Sequence, residues 1–198
     1  MTMSAPKAAA KALAAHLVAR TGLPSAAVLP YWPPPTMTLP RPVAVSVHVA
    51  GEALHDTELG GPELVSMTPI DAATATARYR LGSWTIPLVV EVWARHAAER
   101  DTYARAVYDA LTQPPTVGGA PVVDVMSGAT LTLADYFSAP CTFDTEGWND
   151  TDTPDAAARE EWRSTFQVTA RVDDLVERVV TRQSAVTVTV AASPNTAP

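Results

Sequence analysis

The chain contains two histidines that are close in sequence and could take part in metal binding or acid–base chemistry. His48 and His55 flank a predicted turn, and Asp56 and Glu58 follow closely, which makes this group the strongest candidate for a metal or acid–base site. We favour the alternative, a solvated hairpin end, because His48 lies on the polar side of an alternating segment. The other two histidines are far away, and no pair has the i, i+4 spacing of a helical zinc site.

The single cysteine and an acidic segment are the remaining chemical candidates. One cysteine can form neither an internal disulfide nor a multi-cysteine metal site, so we interpret Cys141 as a small buried residue on a strand. Residues 144–158 supply the oxygen ligands that calcium prefers, namely Asp144, Glu146, Asn149, Asp150, Asp152 and Asp155. Counted from Asp144, three positions of a twelve-residue calcium loop are filled wrongly. We therefore predict a solvated acidic loop.

Sequence motifs for bound nucleotides or a serine nucleophile are absent. The chain has no P-loop, no Gly-x-Gly-x-x-Gly after a strand and no Gly-x-Ser-x-Gly elbow. We therefore predict that the protein is not an enzyme and binds no cofactor and no metal.

Composition limits the partners that the chain can have. Its 198 residues suit one domain with appendages, and its 47% hydrophobic residues suit a packed core. A net charge of −7 disfavours tight binding to nucleic acid or anionic membranes. No segment approaches the roughly 20 apolar residues of a membrane span, and no secretory signal is visible. We expect a soluble protein made in the cytoplasm.

The first 42 residues are predicted to form a helix and a proline-rich arm. Residues 5–20 repeat Leu13 and Leu17 at helical spacing, and Gly22 follows as a C-cap. The segment Tyr31–Pro35 and the prolines after it exclude helix and central strand. This arm either connects elements, with its aromatics covering the core edge, or is a peptide-binding module centred on Tyr31, Trp32 and Pro33.

Alternating and helical periods then define the main body. Val43 to Val49 reads as a strand, and residues 52–72 as a loop with one short strand at 64–67. Residues 74–82 and 84–95 read as strands joined at Gly82-Ser83, either as a hairpin or as one bent strand. Pro87 indicates an edge position or a bulge. Residues 98–112 have the period of an amphipathic helix.

The last third of the chain has a pattern of period two. Short strands are predicted at 122–126, 130–133 and 139–143, followed by the acidic loop and one or two helical turns at 155–163. Alternation from Trp162 to Val172 and the Val/Thr-rich run from Val176 to Val190 then predict two long strands. With a turn at Asp173-Asp174, these strands would form a long antiparallel ribbon whose edges a partner could use.

Together these elements predict an α+β fold. The sheet is mainly antiparallel, two helices pack on it, and a long β-ribbon closes the chain. We place the arm at 1–42, the α+β domain at 43–190 and a flexible tail at 191–198. The predicted core comprises Val45, Val47, Trp84, Leu88, Val90, Val107, Leu111, Phe166 and Val168.

Several of these segments resemble the tail terminator and tail completion proteins of long-tailed bacteriophages. The segment Trp84–Val92 leads through Trp93-Ala94-Arg95 into a helix that opens with Glu99-Arg100-Asp101 and ends Val107-Tyr108-Asp109-Ala110-Leu111. Cys141-Thr142-Phe143 and Glu161-Trp162-Arg163 then precede the closing strands, with Thr169-Ala170-Arg171-Val172 within them. The resemblance covers roughly residues 80–190. The proline-rich arm, residues 50–72 and the acidic loop depart from the family pattern.

The resemblance implies a mechanical role. Proteins of this family form a ring, usually of six copies, on the head-proximal end of the tail tube. The ring stops tube polymerisation and joins the tail to the neck, so the expected partners are other copies, the tail tube protein and a neck or head–tail adaptor protein. DNA would pass through the lumen without specific binding, which suits the negative charge. The expected location is the neck end of the virion tail.

Three rival interpretations stay open at this stage. A head–tail adaptor or neck protein would belong to the same structural class but bind the portal side. A small α+β enzyme would use His48, His55 and Asp56. A peptide-binding module would use the Tyr31-Trp32-Pro33 segment.

Overall fold

The computed structural model describes most of the chain. The described residues are 4–34, 37–38, 40, 42–57, 60–112, 116–117, 120–121, 129–133, 139–151 and 162–181, with side chains omitted for 116–144. The α-helices are α1 (Ala5–Thr21) and α2 (Ala97–Thr112). The strands are β1 (Val28–Leu29), β2 (Val43–Val49), β3 (Leu54–Thr57), β4 (Glu63–Pro69), β5 (Thr74–Ala94), β6 (Thr116–Val117), β7 (Ala120–Pro121), β8 (Ala129–Leu133), β9 (Ala139–Thr151) and β10 (Trp162–Thr181).

One large sheet organises the molecule. Its strand order is β1-β2-β5-β10-β9-β8, and β3 and β4 pair with β5 beyond the end of β2. All of these pairings are antiparallel except that of β1 with β2. The fold is therefore α+β with a mainly antiparallel sheet and two packed helices, as the sequence predicts.

Helix α1 follows the predicted boundaries closely. It ends at Gly22, whose φ of 71° is left-handed and whose N–H donates to the carbonyl of Val18. Leu13 and Leu17 are fully buried, and the buried alanines beside them let the helix approach the sheet closely. His16 joins the two helices, because its Nε2 lies 2.9 Å from the carbonyl oxygen of Ala110.

The core lies between the two helices and one half of the sheet. Eight of the nine predicted core residues are buried, and the ninth, Trp84, is partly buried against them. Within α2, Ala104, Val107 and Leu111 are fully buried, as the helical period predicts. Phe166 is the largest fully buried side chain in the described chain. No helix in the described residues is long and apolar enough to cross a membrane.

The long ribbon exists, but its two strands are not the predicted ones. Strand β10 runs through Asp173-Asp174 without a turn and pairs along its whole length with β5. Val176 therefore continues the strand that starts at Trp162, and residues 182–190 lie outside the described part. The two aspartates are accommodated because Asp173 makes an ion pair with Arg80 of β5 and Asp174 is hydrogen-bonded to His55 of β3.

Strand β5 is one continuous strand, which is the second of the two predicted alternatives. Its 21 residues cross the position of Gly82-Ser83 and span roughly 70 Å at the rise of an antiparallel strand. The register with β10 shifts between Asp174 and Leu175, which leaves Leu81 as the extra residue of a bulge. The glycine and serine thus mark an irregularity in the pairing and not the end of a strand.

Two predicted loops are strands in the structure. Residues 52–72 contain β3 as well as β4, where the sequence predicts one short strand. The predicted acidic loop at 144–158 is wrong for residues 144–151, because β9 continues to Thr151 as a partner of β10. Both segments are polar because each lies exposed at the surface. They therefore lack the apolar alternation from which a strand is predicted. The predicted strand at 122–126 and the helical turns before Trp162 lie outside the described residues.

Pro87 occupies a local edge inside a central strand. On one side of β5, β2 ends opposite Leu88 and β3 begins opposite Thr85, so the side of Pro87 between them has no strand partner. The carbonyl of Pro87 points into this gap and accepts the N–H of Ala50 at 3.0 Å. A proline fits there because its missing N–H would point into the same gap.

Gly82 is required by the close approach of β3. A Cβ at this position would lie 2.1 Å from the backbone oxygen of Asp56 and 3.1 Å from the Cα of Thr57. We expect Gly82→Ala to lower the free energy of unfolding by about 1–3 kcal/mol, the usual cost of overpacking. Because β3 is exposed, it should separate from β5, and amide hydrogen exchange at residues 54–57 should rise. Unchanged exchange there would contradict the close approach. Gly147→Ala is the control, since nothing lies within 4 Å of its Cβ position.

Candidate assembly surface

His48 and His55 do not form one site. His48 pairs with Val89 of β5, whereas His55 pairs with Trp84, five residues along that strand. An odd difference in register places them on opposite faces, and the distance along the strand is roughly 17 Å. His55 pairs with Asp174 at 3.0 Å and packs on the ring of Trp84. The structure therefore separates the two histidines of the candidate metal or acid–base site.

The other chemical candidates are also dispersed. Among the described residues, no group of three or more histidine, cysteine or acidic side chains is placed to hold a metal ion. Asp56 is exposed on β3, while Glu58 and Asp152 lie outside the described residues. Asp150 of β9 accepts hydrogen bonds from the hydroxyl of Ser164 and the indole of Trp148. The backbone of Cys141 lies in β9 opposite Val172, and its side chain is not described.

A projecting part of the sheet carries most of the exposed apolar side chains. We call it the sheet extension: β3, β4, the turn at 70–73, residues 74–83 of β5 and residues 173–181 of β10. Six of the nine exposed large hydrophobic residues in the described chain lie on it, namely Leu54, Leu64, Val65, Met67, Ile70 and Val179. Single exposed apolar residues are normal on a protein surface, but a cluster of this kind marks an interaction site.

Strand β4 is the exposed edge of this extension. All seven of its residues are exposed, and within the described chain β4 pairs with β5 alone. Leu64 and Met67 are half exposed and share one face, because their partners Tyr79 and Ala77 are two residues apart on β5. A long edge strand with exposed apolar side chains is a template for pairing with another chain.

The opposite face of the extension carries ion pairs. Arg78 contacts Glu177 of β10, and Arg80 contacts Glu63 of β4, in each case between directly opposite residues. Val179 lies on this second face, in the row of Thr76 and Thr68. These pairs join the three strands on this face. The face with Leu64 and Met67 is the more apolar one, with Arg178 in the row of Met67 and Ala77.

The aromatics of the proline-rich arm line a cavity at the other end of the sheet. Trp32 packs edge-on against His48, with ring centroids 4.7 Å apart, and against Trp93 at 6.0 Å. The cavity measures about 380 Å³ and its lining is mainly apolar, formed by Lys7, Ala10, Lys11, Pro30, Tyr31, Trp32, His48 and Val49. The arm therefore covers the sheet edge, as one interpretation predicts, and leaves Tyr31 and Trp32 each 47% exposed.

Buried charged side chains lie in the segments that carry the family resemblance. Glu91 of β5 is buried and lies 3.3 Å from Nη1 of Arg163, whose guanidinium stacks over Trp93. On the other face of the sheet, Trp162 holds the buried guanidinium of Arg100 over its ring, 5.8 Å from the centroid. These contacts are not predicted from the sequence. The tryptophan beside each arginine is the signal that could have revealed them, since an aromatic face can cover a guanidinium.

Glu91 makes the stability of the fold pH-dependent. Burial raises the pKa of Glu91 from 4.5 to about 7, against the opposing effect of Arg163. Between these values the folded state holds a proton that the unfolded state has released, so the free energy of unfolding falls as pH rises through this window. Ser46, the cross-strand neighbour of Glu91, is also buried, and its hydroxyl makes no hydrogen bond within the described part of the chain.

We expect Glu91→Gln to remove this dependence. The wild type should lose up to about 3 kcal/mol between pH 5 and pH 8 through this one group, and the variant should lose less by about 1–3 kcal/mol. Urea denaturation at both pH values measures the difference. Glu177→Gln is the control, because Glu177 also pairs with an arginine but is half exposed. Equal slopes for wild type and Glu91→Gln would contradict the assignment.

Comparisons with known proteins give little further information. No protein-family model and no curated protein matches the chain. One similar solved chain belongs to a structure described as the virion of a native gene transfer agent particle. The match covers 86% of this chain and 99% of that chain, with 17% sequence identity and a TM-score of 0.42. A TM-score at this level does not establish a shared fold.

Proposed function

We propose that this chain is a structural virion protein that caps the head-proximal end of a phage tail tube. Copies of the chain form a ring there, with the six members that the family resemblance implies, and the ring stops tube polymerisation and offers a surface to the neck. A contact between two different surfaces of the same chain closes into such a ring when its rotation is right.

The observation that carries this proposal is the exposed apolar edge of the sheet extension. Strand β4 presents Leu64, Val65 and Met67 to solvent, and Ile70 follows in the turn. A neighbouring chain that covers this edge can add main-chain hydrogen bonds to apolar contact. Such an edge is expected in a protein that works as an assembly and is costly in one that works alone.

The segments that resemble tail terminators also support the proposal. The strand from Trp84 leads directly into α2, and Trp162-Arg163 opens β10 beside it. Arg100, at the start of the helix, and Arg163 contact Trp162 and Glu91 respectively. The motif residues of the resemblance therefore fix the passage from strand to helix, which is a structural role and not a chemical one.

Imaging of assembled material tests the proposal. The purified chain, mixed with tail tubes assembled from the tube protein of the same genome, should form ring-shaped caps on one end of each tube in negative stain. Native mass measurement should show multiples of the chain at high concentration. Chains that bind the portal side and ignore tube ends would indicate a neck adaptor. Chains that stay single and bind neither would overturn the proposal.

A further inference from the structure

The two lysines of the chain stand together at the aromatic cavity. Lys7 and Lys11 are the only lysines among the 198 residues, and both line the cavity from one side of α1. They are exposed, and the rest of the lining is mainly apolar, with Tyr31 and Trp32 half exposed. This combination suits an apolar side chain that is accompanied by carboxylates.

His48 lines the same cavity, where the ring of Trp32 packs edge-on against its imidazole, with ring centroids 4.7 Å apart. Burial lowers the pKa of His48, so the positive charge of the lining comes from Lys7 and Lys11.

The tip of the sheet extension has the complementary chemistry. Asp71 is the acidic residue of the turn, and residues 51–73 contain neither lysine nor arginine. Ile70 is 57% exposed in the turn, and Asp71 beside it is fully exposed. The turn is rigid, because the Asp71 carboxylate accepts the N–H groups of Ala73 and Thr74 at 2.7 Å.

The tip cannot reach the cavity of its own chain. Pro69 pairs with Ala75 of β5, whereas Val49 at the cavity pairs with Leu88. Thirteen residues of continuous strand separate the two positions, a distance of roughly 40 Å. A tip that enters this cavity must therefore come from another copy.

We infer that the tip at Ile70-Asp71 of one copy inserts into the lysine-rimmed cavity of its neighbour. Ile70 fills the apolar space beside Trp32, and the Asp71 carboxylate lies against Lys7 and Lys11. Tip and cavity are different surfaces, so the contact is heterologous and propagates from copy to copy. The inference rests on the proposed self-assembly and specifies which two surfaces meet.

A mixing experiment tests the contact. Ile70→Arg damages the tip by placing a cation against the two lysines, and the double variant Lys7→Glu/Lys11→Glu damages the cavity. Each variant alone should self-associate roughly 30-fold more weakly than the wild type, or worse. An equimolar mixture should form a 1:1 complex, because one intact tip and one intact cavity remain. Sedimentation velocity measures both results, and Ile70→Val is the control that keeps an apolar tip.

The outcomes separate this inference from the proposed function. Ring caps formed by the wild type, together with a mixture that yields no 1:1 complex, would overturn the tip–cavity contact and leave the capping role intact. A 1:1 complex in the mixture with no ring caps from the wild type would support the contact and overturn the capping role. Lys7→Glu/Lys11→Glu that associates normally but loses tube binding would assign the cavity to the tube protein instead.

Discussion

Replacing Phe166 with alanine should lower the free energy of unfolding by about 3–5 kcal/mol. Phe166 is fully buried on β10, between Val90 of β5 and Trp148 of β9, its directly opposite neighbours. Its ring lies 5.3 Å from that of Trp148, which in turn lies 5.4 Å from the ring of Tyr108 on α2. Removing the ring leaves a cavity where two strands and a helix meet.

Denaturant unfolding of the purified variant measures this loss. A loss of this size is a large part of the roughly 5–15 kcal/mol that stabilises an ordinary domain. Val179→Ala is the matched control, because Val179 is on the same strand but 69% exposed, and its change should stay within about 0.5 kcal/mol. An equal, small effect for both variants would show that the inward face of β10 is assigned wrongly.

The double variant Leu64→Asp/Met67→Asp should abolish assembly while the chain remains folded. The two side chains are 48% and 49% exposed on the apolar face of β4, so the isolated chain loses little packing. Two carboxylates placed in a dry interface would be desolvated without partners, and we expect self-association and tube binding to weaken roughly 100-fold or more.

Val179→Asp is the control for this second prediction. Val179 is at least as exposed as the two β4 residues, but it lies on the opposite face of the sheet extension. Sedimentation velocity and imaging of tube ends should show wild-type behaviour for Val179→Asp and single chains for the β4 variant. Normal rings from the β4 variant would exclude this edge as the assembly surface.

The core and the helices were predictable because their periods are clean. The helical spacing of Ala104, Val107 and Leu111 marks a face that is buried, and the alternation around Val90 and Phe166 marks another. Both faces pack against a large apolar core, and such packing leaves a periodic pattern of apolar residues in the sequence itself. The α+β class followed from them.

The pairing of strands was less predictable. Asp173-Asp174 has the composition of a turn, but an ion pair with Arg80 and a hydrogen bond with His55 satisfy the two carboxylates within the sheet. Partners of this kind lie about ninety residues or more away in sequence, so no local pattern reveals them. For the same reason, the sequence predicts that the strand starting at Trp162 pairs with the run after Asp174. In the structure that strand pairs with β5 instead.

The candidate assembly surface was visible in sequence only in part. Apolar residues of β4 occur between turn signals at Gly60-Gly61-Pro62 and Thr68-Pro69, which identified a short strand but not its exposure. The two lysines at the cavity and the acidic residues 51–73 are both readable from the sequence. Their separation along the sheet is not, because it depends on the register of β2 and β4 against β5.

The two long strands give the molecule a mechanical property. Strands β5 and β10 run side by side from the packed core to the outer end of the sheet extension, with one register shift at Asp174. A pull along them loads their cross-strand hydrogen bonds in shear together, instead of peeling them apart one after another. A subunit held at its outer end would therefore extend little under load.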